Sequence, residues 1–136
     1  MRVLVADDDP LNREIMARFL ARLGVEALFA ADGEEAVELF RSERAGGRPF
    51  DLAFLDLSMP RMSGIEAARL ISASEALHDS ARSPSAPTAR PILIALTGAD
   101  AEESLGESVF SRFLQKPLSL AVLKATLADF DEMPRS

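Results

Sequence analysis

In four places this 136-residue chain sets reactive side chains against the end of an apolar run. Asp7 and Asp8 follow Val3-Leu4-Val5-Ala6, and Asp56 follows Leu52-Ala53-Phe54-Leu55. Thr97 follows Ile92-Leu93-Ile94-Ala95-Leu96, and Lys116 follows Phe113-Leu114-Gln115. Brought together, these would be three carboxylates, a hydroxyl and an ammonium. Like charges disfavour joint ionisation in one pocket, and a hard divalent cation resolves that conflict. Mg²⁺ suits such a set, because it takes one or two carboxylates and otherwise keeps waters and phosphate oxygens. Phosphoryl transfer needs the same parts: a metal between donor and acceptor oxygens, with cationic and hydrogen-bonding groups around the phosphoryl oxygens. Lys116 offers the charge and Thr97 the hydroxyl. The nucleophile would be a carboxylate, and the product an acyl phosphate.

The elements must converge for this to happen. Unbroken apolar runs indicate strands buried on both faces, as in a parallel sheet. Ala27-Leu28-Phe29-Ala30 reads as a weaker second strand, and Phe113-Leu114-Gln115 as a short, partly polar fifth at an edge. A helix over Pro10 to Leu23 places Ile15, Phe19, Leu20 and Leu23 on one face, with Asp9 as N-cap and Gly24 as the stop. Asp32-Gly33-Glu34-Glu35 opens a second helix with a capping pattern, and Ala36, Val37, Leu39 and Phe40 form its apolar side. A third helix is expected from Gly64 to Ser74 around Ile65, Ala68, Leu70 and Ile71, and a last one from Leu118 to Phe130. This alternation predicts an α/β fold, a flavodoxin-like (βα)5 doubly wound parallel sheet of strand order 2-1-3-4-5. In that order strands 1 and 3 flank the point where ligands bind, and every reactive residue lies at a strand's carboxyl end.

A single domain is expected over 1–136. The stretch 74–91 is rich in Ser, Ala, Pro and Arg and reads as a long loop insertion opposite the crevice, with His78 a surface residue on it. The five Met residues read as core or loop fillers. A formal charge of −7, from 15 basic and 22 acidic side chains, argues against nucleic acid or anionic membrane as partner. The chain has no Cys, so disulfides and thiolate metal sites are excluded. Its first apolar run is too short for a signal peptide or a membrane span, and a cytoplasmic protein is expected.

Four motifs occur in order: Val5-Ala6-Asp7-Asp8-Asp9-Pro10, Leu55-Asp56-Leu57-Ser58-Met59-Pro60 with Met62-Ser63-Gly64, Ala95-Leu96-Thr97-Gly98, and Lys116-Pro117. Together they resemble the receiver domain of two-component response regulators, and Asn12-Arg13 is similar to receivers attached to hybrid sensor kinases. The resemblance implies that Asp56 is the phosphoacceptor, that Asp8 ligates Mg²⁺ directly and Asp7 through water, and that the Ser58 carbonyl completes the metal site. It implies that Thr97 and Lys116 hold the phosphoryl oxygens, and that Phe113 is a switch aromatic following the threonine. The expected donor is a histidine kinase or histidine phosphotransfer protein, docking near the first helix beside Leu11. Such a domain assists its own phosphorylation and dephosphorylation rather than working as a conventional enzyme. Thr97 to Lys116 spans only 19 positions, about one helical turn fewer than the family pattern. A stunted helix near 101–107 is therefore expected, along with the absence of the family's usual dimer through that face.

Two other functions fit parts of the sequence. An aspartate-nucleophile phosphatase of the haloacid dehalogenase type would use Asp7 in Asp7-Asp8-Asp9. However, Leu11 stands where that family has Thr or Val, and Asp56 would have no role. A receiver-shaped binding module that is never phosphorylated is the other reading, against which stands the full set of site residues.

Overall fold

The computed structural model describes residues 1–59, 61–81, 92–98, 110–116 and 118–131. Its elements are β1 (Arg2–Ala6), α1 (Pro10–Arg22), β2 (Glu26–Ala30), α2 (Gly33–Ala45), β3 (Leu52–Asp56), α3 (Gly64–Ala81), β4 (Ile92–Thr97), β5 (Arg112–Gln115) and α4 (Leu120–Asp131). The strands form one parallel sheet in the order β2-β1-β3-β4-β5. The expected flavodoxin-like topology is therefore the observed one.

Successive side chains on a strand point to opposite faces, so the central strands feed two cores. Leu4, Ala6, Ala53, Leu55 and Ala95 pack with Val37 and Phe40 of α2 and Ile71 of α3. Val3, Val5, Phe54, Ile94 and Leu96 pack with Met16 and Leu20 of α1 and Leu123 and Leu127 of α4. Apolarity on both faces is why β1, β3 and β4 read as continuous runs.

Capping sets the helix starts. Asp9 Oδ1 accepts from the Leu11 amide at 2.9 Å, with Pro10 opening α1. Asp32 Oδ1 accepts from the Glu35 amide at 2.8 Å at the head of α2. Ser63 and Glu66 exchange backbone-to-side-chain bonds of 3.2 Å each at the head of α3. Just past α1, Gly24 turns the chain at φ +73°.

Several expectations need correction. α3 does not stop at Ser74 but runs to Ala81, so His78 lies on a helix rather than a loop. Residues 72–81 contain no Gly or Pro and several strong helix formers, which sustain a helix where no apolar stripe marks it. The rest of the expected insertion, 82–91, and the expected stunted helix near 101–107 lie outside the described residues. On α1, Ile15 does not join the core and is 36% exposed, and Met16 takes the buried place. On α3, Leu70 likewise faces out, and Ala67 packs inward beside Ala68 and Ile71. α4 starts at Leu120, two residues later than expected.

Candidate functional site

Register carries the reactive residues to one edge of the sheet. Beyond β1, the Asp7 amide donates to the Ala30 carbonyl at 3.1 Å, which continues the β1–β2 ladder by one residue. Asp56 is the last residue of β3 and pairs with Leu96, so Thr97 follows immediately on the neighbouring strand. The Lys116 amide donates to the Thr97 carbonyl at 2.8 Å, continuing the β4–β5 ladder in the same way.

The acidic residues meet there. Asp7, Asp8 and Asp56 each present a carboxylate oxygen within 4.8 Å of the others, with Asp7 and Asp56 buried and Asp8 exposed. Lys116 Nζ donates to Asp56 Oδ2 at 2.8 Å and lies 3.6 Å from Asp7 Oδ2. Asp56 Oδ1 accepts from the Ser58 amide at 3.0 Å, and Asp7 Oδ1 from the Asp9 amide at 2.9 Å. All seven residues anticipated from the sequence are in this neighbourhood or on the adjoining edge strand. Thr97 is buried, and its hydroxyl is turned toward the Leu114 carbonyl at 3.5 Å. Phe113 is the outlier: it points outward from β5, 36% exposed, its ring tilted against Phe110 with centroids 5.6 Å apart.

Electrostatics match the geometry. Burial raises the pKa of Asp7 above the ordinary carboxylate value. The Asp9 amide and the Lys116 charge oppose that rise, while the Asp56 charge adds to it. Burial works against the Lys116 ammonium, but its bond to Asp56 and the charges of Asp56, Asp7 and Asp8 outweigh it and raise its pKa. Three carboxylates face one ammonium, an excess of negative charge that an added cation would relieve. Oxygen donors of this kind suit a hard divalent ion.

Two residues quoted in the motifs have structural roles that the sequence did not assign. Arg13 reaches back from α1 and donates to the Asp7 carbonyl at 2.7 Å, fixing the turn that presents Asp7 and Asp8. Gly64 has a steric reason beyond its place in a motif, since a Cβ there would overlap the Asp56 carbonyl. Both residues stand in the quoted motifs, but nothing in their spacing announced the Arg13 bond to the Asp7 carbonyl or the contact of Gly64 with the Asp56 backbone.

Known proteins place the chain. Residues 3–128 match the response regulator receiver domain family. Hybrid signal transduction histidine kinase E of Dictyostelium discoideum is 33% identical over 128 residues, covering 91% of this chain, which spans 7% of that kinase's length. Among solved structures, the co-crystal of the Saccharomyces cerevisiae phosphotransfer protein Ypd1 with the Ssk1 receiver domain superposes with a TM-score of 0.78 at 27% identity, covering 96% of this chain and 88% of that one. TrrA of Thermotoga maritima, solved in complex with Mg²⁺ and BeF, gives a TM-score of 0.74 at 28% identity, covering 95% and 97%. Sheet order, crevice and sequence match converge: this chain belongs to the response regulator receiver domains, the phosphorelay modules of two-component signalling.

Proposed function

We propose that this receiver takes a phosphoryl group from a phosphohistidine donor onto Asp56 and uses Mg²⁺ held by Asp7, Asp8, Asp56 and the Ser58 carbonyl. The observation that carries the reading is the 2.8 Å bond from Lys116 Nζ to Asp56 Oδ2 inside a cluster of three carboxylates. A carboxylate so held is desolvated, oriented and adjacent to a cation that can pass to an incoming phosphoryl oxygen. A carboxylate oxygen of Asp56 attacks phosphorus, the phosphorus–nitrogen bond breaks, and the imidazole of the donor leaves with the electron pair. Lys116 then pairs with the phosphoryl oxygens, and Thr97 turns its hydroxyl from the Leu114 carbonyl toward them. Bound Mg²⁺ would neutralise the carboxylate charge and polarise the phosphoryl oxygens. Phe113, outward on β5, is free to follow Thr97 inward, which makes it the candidate readout.

The donor is a histidine kinase or a histidine phosphotransfer protein. Leu11 is 62% exposed and lies one helical turn from Ile15 on α1, next to the crevice. A small pocket of about 60 Å³ beside them, lined in part by Ile15, Leu118 and Lys116, continues the apolar surface toward the site. An apolar docking face beside the acidic crevice would seat a helical donor, with its phosphohistidine over Asp56. No helix among the described residues is long and apolar enough to cross a membrane, and the domain is assigned to the cytoplasm, where such donors work. The domain assists its own phosphorylation and dephosphorylation and is not a conventional enzyme.

Incubation with Mg²⁺ and acetyl phosphate, followed by intact-mass measurement, tests the reading. The wild type should gain one phosphoryl adduct and Asp56→Asn none. Labelling that survives in Asp56→Asn but vanishes in Asp7→Asn would instead indicate an Asp7 nucleophile. No adduct under these conditions, and none from a histidine phosphotransfer donor, would leave a receiver-shaped binding module.

A further inference from the structure

Among the described residues, the left-handed backbone region holds one residue with a side chain: Arg61, at φ +66°. That region is disfavoured by a Cβ and is normally left to Gly, Asn or Asp. A residue persists there only when its surroundings over-determine it. Two neighbours from α2 do so. The Arg61 guanidinium donates through Nε to Asp32 Oδ2 at 3.1 Å, and through a terminal nitrogen to the same oxygen. That carboxylate is buried and already committed, through its other oxygen, as the N-cap of α2. Beside it, α2 approaches so closely that a Cβ on Gly33 would overlap the Met62 carbonyl.

Arg61 lies on the loop from Asp56 to Gly64, which also carries Ser58. The two ends of that loop close on each other. The Gly64 amide donates to the Leu57 carbonyl at 3.4 Å, and the Gly64 backbone rests on the Asp56 carbonyl. Among the described residues of this loop, Leu57, Met59 and Met62 pack against the core between the sheet, α2 and α3, and the ion pair of Arg61 adds a polar tie to the head of α2. An exposed guanidinium usually contributes little to global stability through such a pair. Its effect here falls on loop conformation, since the side chain holds a backbone geometry that its own Cβ disfavours.

We propose that Arg61 is a positioning residue for phosphoryl acceptance: its ion pair with Asp32 clamps the β3–α3 loop to α2 and so keeps Ser58 and Asp56 arranged for Mg²⁺. The inference rests on the assignment of Ser58 and Asp56 above. It makes the head of α2, which contributes no group to the crevice, a determinant of metal affinity.

Three substitutions separate charge from backbone. Arg61→Gly retains access to the left-handed conformation and removes the guanidinium. Asp32→Asn removes the charge while keeping an N-cap side chain. Arg61→Lys restores a charge without the planar fork. Mg²⁺ affinity is read from the Ser58 amide shift in NMR titrations, and labelling by acetyl phosphate is followed across Mg²⁺ concentration. Arg61→Gly and Asp32→Asn should each weaken Mg²⁺ binding by about threefold to tenfold, at or below the range for outer-shell partners. Arg61→Lys should fall between them and the wild type. The double variant should be no weaker than the singles, because one pair is broken in each. At saturating Mg²⁺ the labelling rate should return to that of the wild type. Affinities within twofold of the wild type, or a deficit persisting at saturation, would overturn the proposal. Should Asp32→Asn fail to fold, Arg61→Gly decides alone. A wild type that is never labelled on Asp56 would sink the receiver chemistry instead. The clamp is then judged without metal: amide exchange at Ser58 and Met59 must rise severalfold in Arg61→Gly, and unchanged exchange rejects it.

Discussion

β1 carries charge at both of its ends, and the two ends are built on opposite principles. At its start, Arg2 donates to Glu26 at 3.0 Å and Glu43 at 2.6 Å, and also to the Arg48 carbonyl. Its own amide donates to Asp51 at 2.7 Å, and its guanidinium lies 5.0 Å from the centroid of Phe50. Arg48 joins through a second contact with Glu26 at 2.8 Å. Opposite charges alternate there, and the network is closed. Beyond the other end, Asp7, Asp8 and Asp56 share one lysine, and like charges face each other. The first arrangement lowers the free energy of the folded chain. The second raises it and is tolerated because an incoming ligand can complete it, the usual relation between a functional site and its scaffold.

That contrast can be broken by experiment. The largest effect should come from the metal. Mg²⁺ at a hundred times its Kd should stabilise the wild type by about 2.7 kcal/mol, and Asp8→Asn should remove most of that gain in thermal melts. At the opposite end, Arg2→Ala should destabilise the fold by about 2 kcal/mol, since charge-assisted bonds and packing are lost together. Urea titration measures the loss, and labelling of Asp56 should be unchanged. A labelling defect in Arg2→Ala would show that the two ends are not separable.

Smaller effects should have opposite signs with pH. The folded-state pKa of Asp7 is raised, chiefly by burial. The native state therefore binds more protons than the unfolded chain between the ordinary carboxylate value and that raised value, and stability falls as pH rises through this window. Asp7→Asn should raise the metal-free stability at neutral pH and flatten that decline. The pKa of Asp32 is lowered, first by the Glu35 amide and next by Arg61. Its contribution is present above the ordinary carboxylate value and is lost as pH falls through its folded value. Asp32→Asn should remove this acid-side loss, the smallest of the four effects.

Much of the site was legible because a parallel sheet converts a local pattern into a global location. Asp7, Asp56, Thr97 and Lys116 are far apart in the chain, yet each directly follows or ends an apolar run. Their convergence needed only the strand order. Helix faces were less legible. Ile15 is branched and apolar and fits the stripe, but Met16 takes the interior while Ile15 lines the rim. Neighbours on a helix differ by 100° in direction, and composition alone does not choose between them at a stripe's edge. The end of α3 was missed because propensity, rather than amphipathicity, carries it to Ala81.

From the sequence alone came the sheet, its order and the residues along its reactive edge, because burial on both faces and chain direction leave few ways to place five short apolar runs. Tertiary structure decided the connections among side chains. It paired Lys116 with Asp56 more closely than with Asp7, sent Arg13 back to the Asp7 carbonyl, and joined Arg61 to Asp32 across 29 positions. Such contacts depend on the distance between loops after the core has packed, and no periodicity in the chain records that distance.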